Sequence, residues 1–421
     1  MGCRTHFVQF AQRFRKSEKY MSWSEHCVQD HRQRTDRAIH RAFGELAADP
    51  SASETFHELL LCARNRAARL FEAPSVNGRH PGVEALVNLS RFRDSHIRSA
   101  TTWGGSSSSW RLAVSALAHH LVGEYQVPLF LASSWYATDP SGDRKRRWFM
   151  AHSRGASFRS LDLPVPMTRK MEHIFLASHD HLSIEHAMRR AELLALGAPS
   201  DLIAAVMATR LATDLDHGEF WRTVWLFLID NSTEIDLNQI GPMIDYIQAV
   251  RHERITMQTP EGAIRLDPHQ PDFSIKGRTV QSMLRLVQDW HRTLGSSGPA
   301  FSWTRSPFEP YVVAEPNREH PEEPKRWVML ELTNSAQLRS EGVALHHCVA
   351  SYADRCYRGI SSIWSLRLWH GEAVKHVLTV EVDPRRRTVV QARGRANRAA
   401  SGKTLQLLQD WAVRERLQMA V

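Results

Sequence analysis

The sequence predicts an α+β fold: a mostly helical N-terminal two-thirds, followed by a C-terminal antiparallel-sheet domain with helices. Three observations lead there. Helical apolar spacing dominates to about residue 298, six prolines fall between Pro299 and Pro324, and short runs with strand-like alternation follow them. At 421 residues the chain exceeds one ordinary core. Its 42% hydrophobic and 24% charged residues are those of a globular chain, and thirteen tryptophans call for burial.

The first region, residues 1–100, reads as basic and helical, with Phe43, Leu46, Leu59, Leu60 and Ala63 among its apolar points. Residues 101–167 read as mixed: a Gly/Ser loop, a helix from Trp110 capped by Ser109, and short strands around YQVPLFL. Residues 168–298 read as a helical bundle. Ile184–Leu196 has helical spacing and stops at Gly197, and further helices follow from Ser200, Glu219, Pro242 and Thr279. The proline-rich stretch 299–324 predicts an extended linker.

From 325 the pattern changes. Strands are expected at Trp327–Leu332, Ile363–Trp369, His376–Val382 and Thr388–Arg393, with a helix over Ser335–Gly359 broken at Gly342 and a closing helix over Thr404–Leu417. On the first of these helices, Leu345, Cys348, Val349, Tyr352 and Cys356 share one stripe, while His347, Ser351, Asp354 and Arg358 line the opposite side and His346 lies between. Pairing Val382 with Thr388 places Thr379 opposite Gln391, Val377 opposite Arg393 and Glu381 opposite Val389. Leu378, Val380, Val382, Val390 and Ala392 then form the core face. Glu331, Ser365, Arg367, Thr379, Glu381, Gln391 and Arg393 gather on the second, which is either simply wet, as half-exposed sheets are, or binds a ligand.

Net charge is +9 and the sequence pI about 9.6. A basic excess of this size favours anionic partners, nucleic acid among them. Arg385, Arg386 and Arg387 in the hairpin turn, with Arg393, Arg395 and Arg398 beyond it, offer forks suited to phosphate, and Gly394 and Asn397 add a flexible backbone and an amide. The five cysteines are sparse, and no CxxC pair is present, which excludes a disulfide framework and the usual zinc site. The histidines around SHDH (His173, His179, His181 and His186) meet no recognised ligand spacing, and Gly402-Lys403-Thr404 lacks the upstream glycine of a P-loop. No metal or cofactor is therefore expected. The N-terminus has no apolar signal region and the chain no run of about 18 apolar residues, so a cytoplasmic protein without membrane insertion is expected.

The runs EGVALHHCVASYADRCYRGISSIWSLR, LTVEV and QARGRANR, with a terminal helix containing Trp411, resemble the PcfJ-like family of bacterial conjugative and other mobile elements. Upstream, YQVPLFLASSW, IEHAMRRAELLALG, FWRTVWLFLIDN and IGPMIDYI resemble longer members. The resemblance marks Glu341, Gly342, His346, His347, Cys348, Tyr352, Gln391, Gly394 and Asn397 as motif positions without assigning them roles, and it implies a plasmid or mobile-element setting.

Three functions compete. The first is a nucleic-acid-associated accessory protein contacting phosphates through Arg385, Arg386, Arg387, Gln391, Arg393, Arg395 and Asn397. The second is a metal-independent nuclease or phosphodiesterase, with His347 as general acid/base, Asp354 or Glu381 orienting it, and Gln391, Arg393 and Asn397 steadying negative charge. In a variant of the second, Cys348 is the nucleophile. The third is a protein-interaction module serving a mobile-element system.

Overall fold

The computed structural model describes residues 23–74, 79–105, 107–259, 262–296, 302–315, 325–345, 348–395 and 398–419. His346, His347 and Asn397 thus lie outside the described residues. Contacts divide the chain into two units, 1–187 and 188–421.

The first unit is helical. Its main helices are α1 (Trp23–Glu45), α2 (Pro50–Arg66), α3 (Pro81–Arg91), α4 (Trp110–Val122), α5 (Ser133–Tyr136), α6 (Gly142–Ser153) and α7 (Arg169–Leu176). Helix α2 starts where Asp49 accepts from the Ala52 amide at 3.0 Å and Pro50 presets the first turn; it buries Phe56, Leu59, Leu60 and Ala63 on one stripe. Helix α3 is central, and its Asn88 amide donates to the Trp135 carbonyl at 2.8 Å. Around it, Trp135 meets Phe92 and Phe149 edge to face. The short strands expected between 101 and 167 are absent among the described residues. Leu129–Ala132 forms a 3-10 turn leading into α5, and Phe130, Leu131, Ala132 and Trp135 are all buried. A short apolar run buried on every side carries no period that separates strand from helix.

In the second unit, α8 (Ile184–Leu196, within which the division falls), α9 (Ser200–Met207), α10 (Gly218–Asp230), α11 (Ile240–Arg251) and α12 (Val280–Ser296) enclose a core that includes Trp221, Trp225, Met243, Ile244, Ile247, Met283 and Val287. The fully buried Arg189 pairs with Glu192, donates to the carbonyls of Leu211 and Asp214, and lies over the Trp225 ring. A two-stranded hairpin, β1 (Ile255–Thr259) and β2 (Gly262–Leu266), interrupts what reads in sequence as helix alone.

His252, at the end of α11, stacks on His217 with ring centroids 4.0 Å apart. Burial, helped by the charges of His217 and Arg251, lowers its pKa from 6.5 to about 4. Between those values the unfolded chain takes up a proton that the folded site refuses, so stability should be full above pH 6.5 and fall as the pH drops toward 4. The ring is only partly buried, and solvent screening limits the effect to on the order of 1 kcal/mol. His252→Phe should flatten this limb of a stability–pH curve; a limb that persists would assign it to other groups.

The C-terminal sheet has six strands in sequential order: β3 (Tyr311–Glu315), β4 (Lys325–Leu332), β5 (Ser362–His370), β6 (Ala373–Asp383), β7 (Thr388–Arg393) and β8 (Gln418–Met419). Every pair is antiparallel except β7–β8, which is parallel, so the sheet is mixed. Edge strand β3 lies inside the proline-rich segment read as a linker. Pro310 precedes its first residue, a position that needs no ladder donor.

Helix α15 (Gly402–Arg414) covers one face of the sheet, packing Leu407, Leu408 and Trp411 on Trp364, Leu366, Leu378, Val380 and Val382. The other face is covered by α13 (Ser335–Leu345), a 3-10 turn (Val349–Tyr352) and α14 (Ala353–Tyr357), with Leu332, Leu338, Val349, Tyr352, Cys356 and Ile363 in contact. Helix α13 passes through the buried Gly342 without breaking and ends at Leu345. The predicted stripe of Leu345, Cys348, Val349, Tyr352 and Cys356 is buried, although these residues belong to successive short elements.

Candidate functional site

The second face, read from sequence as either wet or ligand-binding, is largely buried, because α13 and the turn after it lie over it. Glu341 of α13 is the centre of contact. Its side chain is fully buried and accepts from Ser365 Oγ at 2.8 Å, Thr379 Oγ1 at 2.8 Å and His376 Nδ1 at 2.5 Å, with the Arg367 guanidinium 3.6 Å away. Ser365 is opposite Thr379, and Arg367 opposite His376 across a bulge, so two strands present four groups to one carboxylate. Such a buried carboxylate is tolerated only with this many partners.

The register of the β6–β7 hairpin differs from the expected one. Thr379 pairs with Arg393 and Glu381 with Gln391; a bulge follows, and Val382 pairs with Val389. The extra residue turns Val389 into the core and leaves Val390 exposed, the reverse of the alternation read from sequence. Glu331 also changes sides. It pairs with Trp364, on the α15 face, and its carboxylate accepts from the Ser306 amide at 3.0 Å.

Beside the Glu341 cluster, Glu381, Gln391 and Arg393 line a cleft together with Asp245 of α11, Cys348, Val349, Tyr352, Ile363 and Thr379. The cleft is half open, and its room is about 30 Å³, enough for about two waters. The Cys348 thiol donates to Asp245 Oδ2 at 2.7 Å, and Arg210 stands 3.5 Å from Asp245 Oδ1. Burial raises the pKa of Asp245, opposed by the Arg210 charge and the Cys348 hydrogen bond. Burial, reinforced by the Asp245 carboxylate, pushes Cys348 well above the usual thiol range, and burial with Glu381 does the same for the Tyr352 phenol. Both are therefore neutral donors, which argues against Cys348 as a nucleophile.

The other predicted site residues separate. Asp354 is held by Arg358 one turn away at 3.4 Å and does not line the cleft, so it is not placed to orient a base there. Glu381 lines it but is engaged by Ser361 Oγ at 2.7 Å and Arg355 at 3.2 Å. Arg385, Arg386 and Arg387 lie at the opposite end of β7 from Arg393, about 17 Å away by strand rise, so they do not form one cluster of forks with it. Arg387 donates to the Glu415 carbonyl and lies over the Phe308 ring, whereas Arg385 and Arg386 are exposed. Gly394 is buried, its amide donates to the Arg398 carbonyl at 2.7 Å, and a Cβ there would come within 3.2 Å of the Val377 carbonyl. Arg395 is exposed.

Asp245 and Arg210 were not legible as site residues. Asp245 is separated from Cys348 by 103 positions, and IGPMIDYI reads as about two turns of a helix. Among the described residues no three His, Cys, Asp or Glu side chains are grouped to hold a metal ion, and no helix is long and apolar enough to cross a membrane. His179 and His181 stack ring on ring at 5.6 Å.

A six-stranded mixed sheet covered on both faces by helices, with a buried carboxylate pinning one layer and a polar cleft beside it, defines the C-terminal part as an α+β domain with a polar helix–sheet seam. Residues 322–408 match the family model described as PcfJ-like protein, a span reaching from just before β4 into α15. The chain thus carries a PcfJ-like domain, in the segment where its motifs resemble that family. No curated protein and no solved structure matches the chain.

Proposed function

We propose that the protein is a nucleic-acid-associated accessory protein of a bacterial mobile or conjugative element, acting in the cytoplasm and contacting phosphates through its C-terminal domain. The observation that carries this reading is where the charge sits. Residues 325–421 hold sixteen Lys and Arg against eight Asp and Glu, so eight of the chain's nine surplus positive charges fall in its last 97 residues. Three of these arginines are turned inward: Arg355 toward Glu381, Arg367 toward Glu341 and Arg393 toward the Ala208 carbonyl. Arg385, Arg386, Arg395, Arg398, Lys403 and Arg416 are exposed. A surface of this sign attracts a polyanion without needing a deep pocket.

Binding of labelled single- and double-stranded DNA and RNA should weaken steeply with salt. Each phosphate contact removed should lower the slope of log K against log salt by about 0.7 to 0.9. Replacing Arg385 and Arg386 together by glutamine should therefore lower that slope by about 1.4 to 1.8 and weaken binding alike for all sequences. Binding that ignores salt, or no binding at all, would remove the reading and direct attention to protein partners.

A second reading, a hydrolase acting on nucleic acid, draws on one observation: Glu381, Gln391 and Arg393 share a cleft with Cys348, the residue directly after His347. The same oligonucleotides run on a denaturing gel separate the two readings. Shortened strands that disappear with His347→Ala support the hydrolase; intact strands at full occupancy reject it.

A further inference from the structure

We propose that Tyr352, Gln391 and Arg393 form a subsite for a terminal phosphate group of a nucleic-acid strand, an inference that rests on the nucleic-acid reading above. Hydrogen-bond accounting within the cleft motivates it. Both carboxylates there are already engaged: Asp245 by the Cys348 thiol and Arg210, Glu381 by Ser361 and Arg355. The uncommitted groups are donors. Among the described residues, neither the Tyr352 hydroxyl nor the Gln391 amide has a hydrogen-bond partner, and Arg393 has a single neutral one, the Ala208 carbonyl at 2.8 Å. No carboxylate of the described residues lies within ion-pair distance of that guanidinium; it is half-buried, and burial lowers its pKa against the opposing, more distant charge of Asp245. A guanidinium half withdrawn from water without a directly paired counter-charge is costly, and its fork suits the oxygens of an oxyanion.

Room and surroundings narrow the class. About 30 Å³ holds about two waters, which two oxygens of a tetrahedral oxyanion can replace. A space so small admits the tip of a group and not a strand passing through, which favours a terminal monoester over an internal diester. The exposed Arg395 and Arg398 follow Arg393 in the chain and offer positive charge to the nucleotides behind that end.

Fluorescence anisotropy with one single strand in three forms, 5′-phosphorylated, 3′-phosphorylated and unphosphorylated, tests this at fixed ionic strength, with inorganic phosphate as competitor. One phosphorylated form is expected to bind about tenfold more tightly than the unphosphorylated strand, an advantage that inorganic phosphate removes. Gln391→Glu, nearly isosteric and repelling an anion, should bring the ratio to about one, and Gln391→Leu, which removes the amide without setting a second carboxylate opposite Glu381, should do the same. Arg393→Lys, which keeps the charge without the fork, should leave an intermediate ratio. Equal, salt-sensitive affinity for all three forms would overturn the subsite and leave the nucleic-acid reading standing. If no strand binds, yet inorganic phosphate raises the melting temperature of the wild type and not of Gln391→Glu, the phosphate site stands and a strand is overturned as its source.

Discussion

Glu341→Leu is expected to cost about 3–5 kcal/mol of stability, the loss associated with breaking a buried ionic and hydrogen-bonded cluster by removing one partner. The substitution takes the carboxylate charge from Arg367, which keeps its 3.0 Å hydrogen bond to Ser365 Oγ, and removes the acceptor that His376, Ser365 and Thr379 share in a largely buried seam. Each stranded donor carries its own desolvation penalty, while the leucine recovers only part of the packing. Glu341→Gln provides the contrast. It is the same size and keeps one carbonyl acceptor, so a smaller loss of about 1–2 kcal/mol is expected. Urea denaturation followed by tryptophan emission can read the domain, since Trp364 and Trp411 are both fully buried in it. A Glu341→Leu protein within 1 kcal/mol of the wild type would show that α13 is held by its apolar contacts alone and that the carboxylate is kept for another purpose.

This cluster also shows where sequence reading reached its limit. Period-two alternation correctly put Ser365 and Thr379 on one face and Trp364, Leu378 and Val380 on the other, because that pattern is a property of each strand alone. What lies over the polar face is not a property of the strand. Glu341 sits in α13, and only the packing of that helix turns a wet face into a buried one. The hairpin register failed for a related reason. A bulge after Glu381 inserts Val390, and two adjacent valines offer no polar mark to say which one enters the core. Glu331 lies between two leucines, so its side could be settled only by its pairing with Trp364. Asp245 joins the cleft from a helix more than a hundred residues upstream, where nothing local distinguishes it from a surface aspartate.

Trp411→Ala should remove a comparable amount, about 3–5 kcal/mol, from the opposite face of the same sheet. Trp411 is fully buried, its ring lies 4.8 Å from that of Trp364, and its indole nitrogen donates to the Glu309 carbonyl at 3.0 Å. One side chain therefore ties α15 both to the middle of β5 and to the segment leading into the edge strand β3. Truncation opens a cavity, abolishes the ring pair and leaves the Glu309 carbonyl without its indole donor. Trp411→Phe keeps the ring contact and loses only the hydrogen bond and part of the volume, so about 1–2 kcal/mol is expected. The two faces should also differ in kind. On the Trp411 side the loss should follow buried volume, with Phe between Trp and Ala. On the Glu341 side it should follow polar satisfaction, with Gln between Glu and Leu. If Trp411→Phe proves as damaging as Trp411→Ala, the indole hydrogen bond to Glu309 outweighs the packing, and the anchor of α15 is the segment before β3 more than the sheet itself.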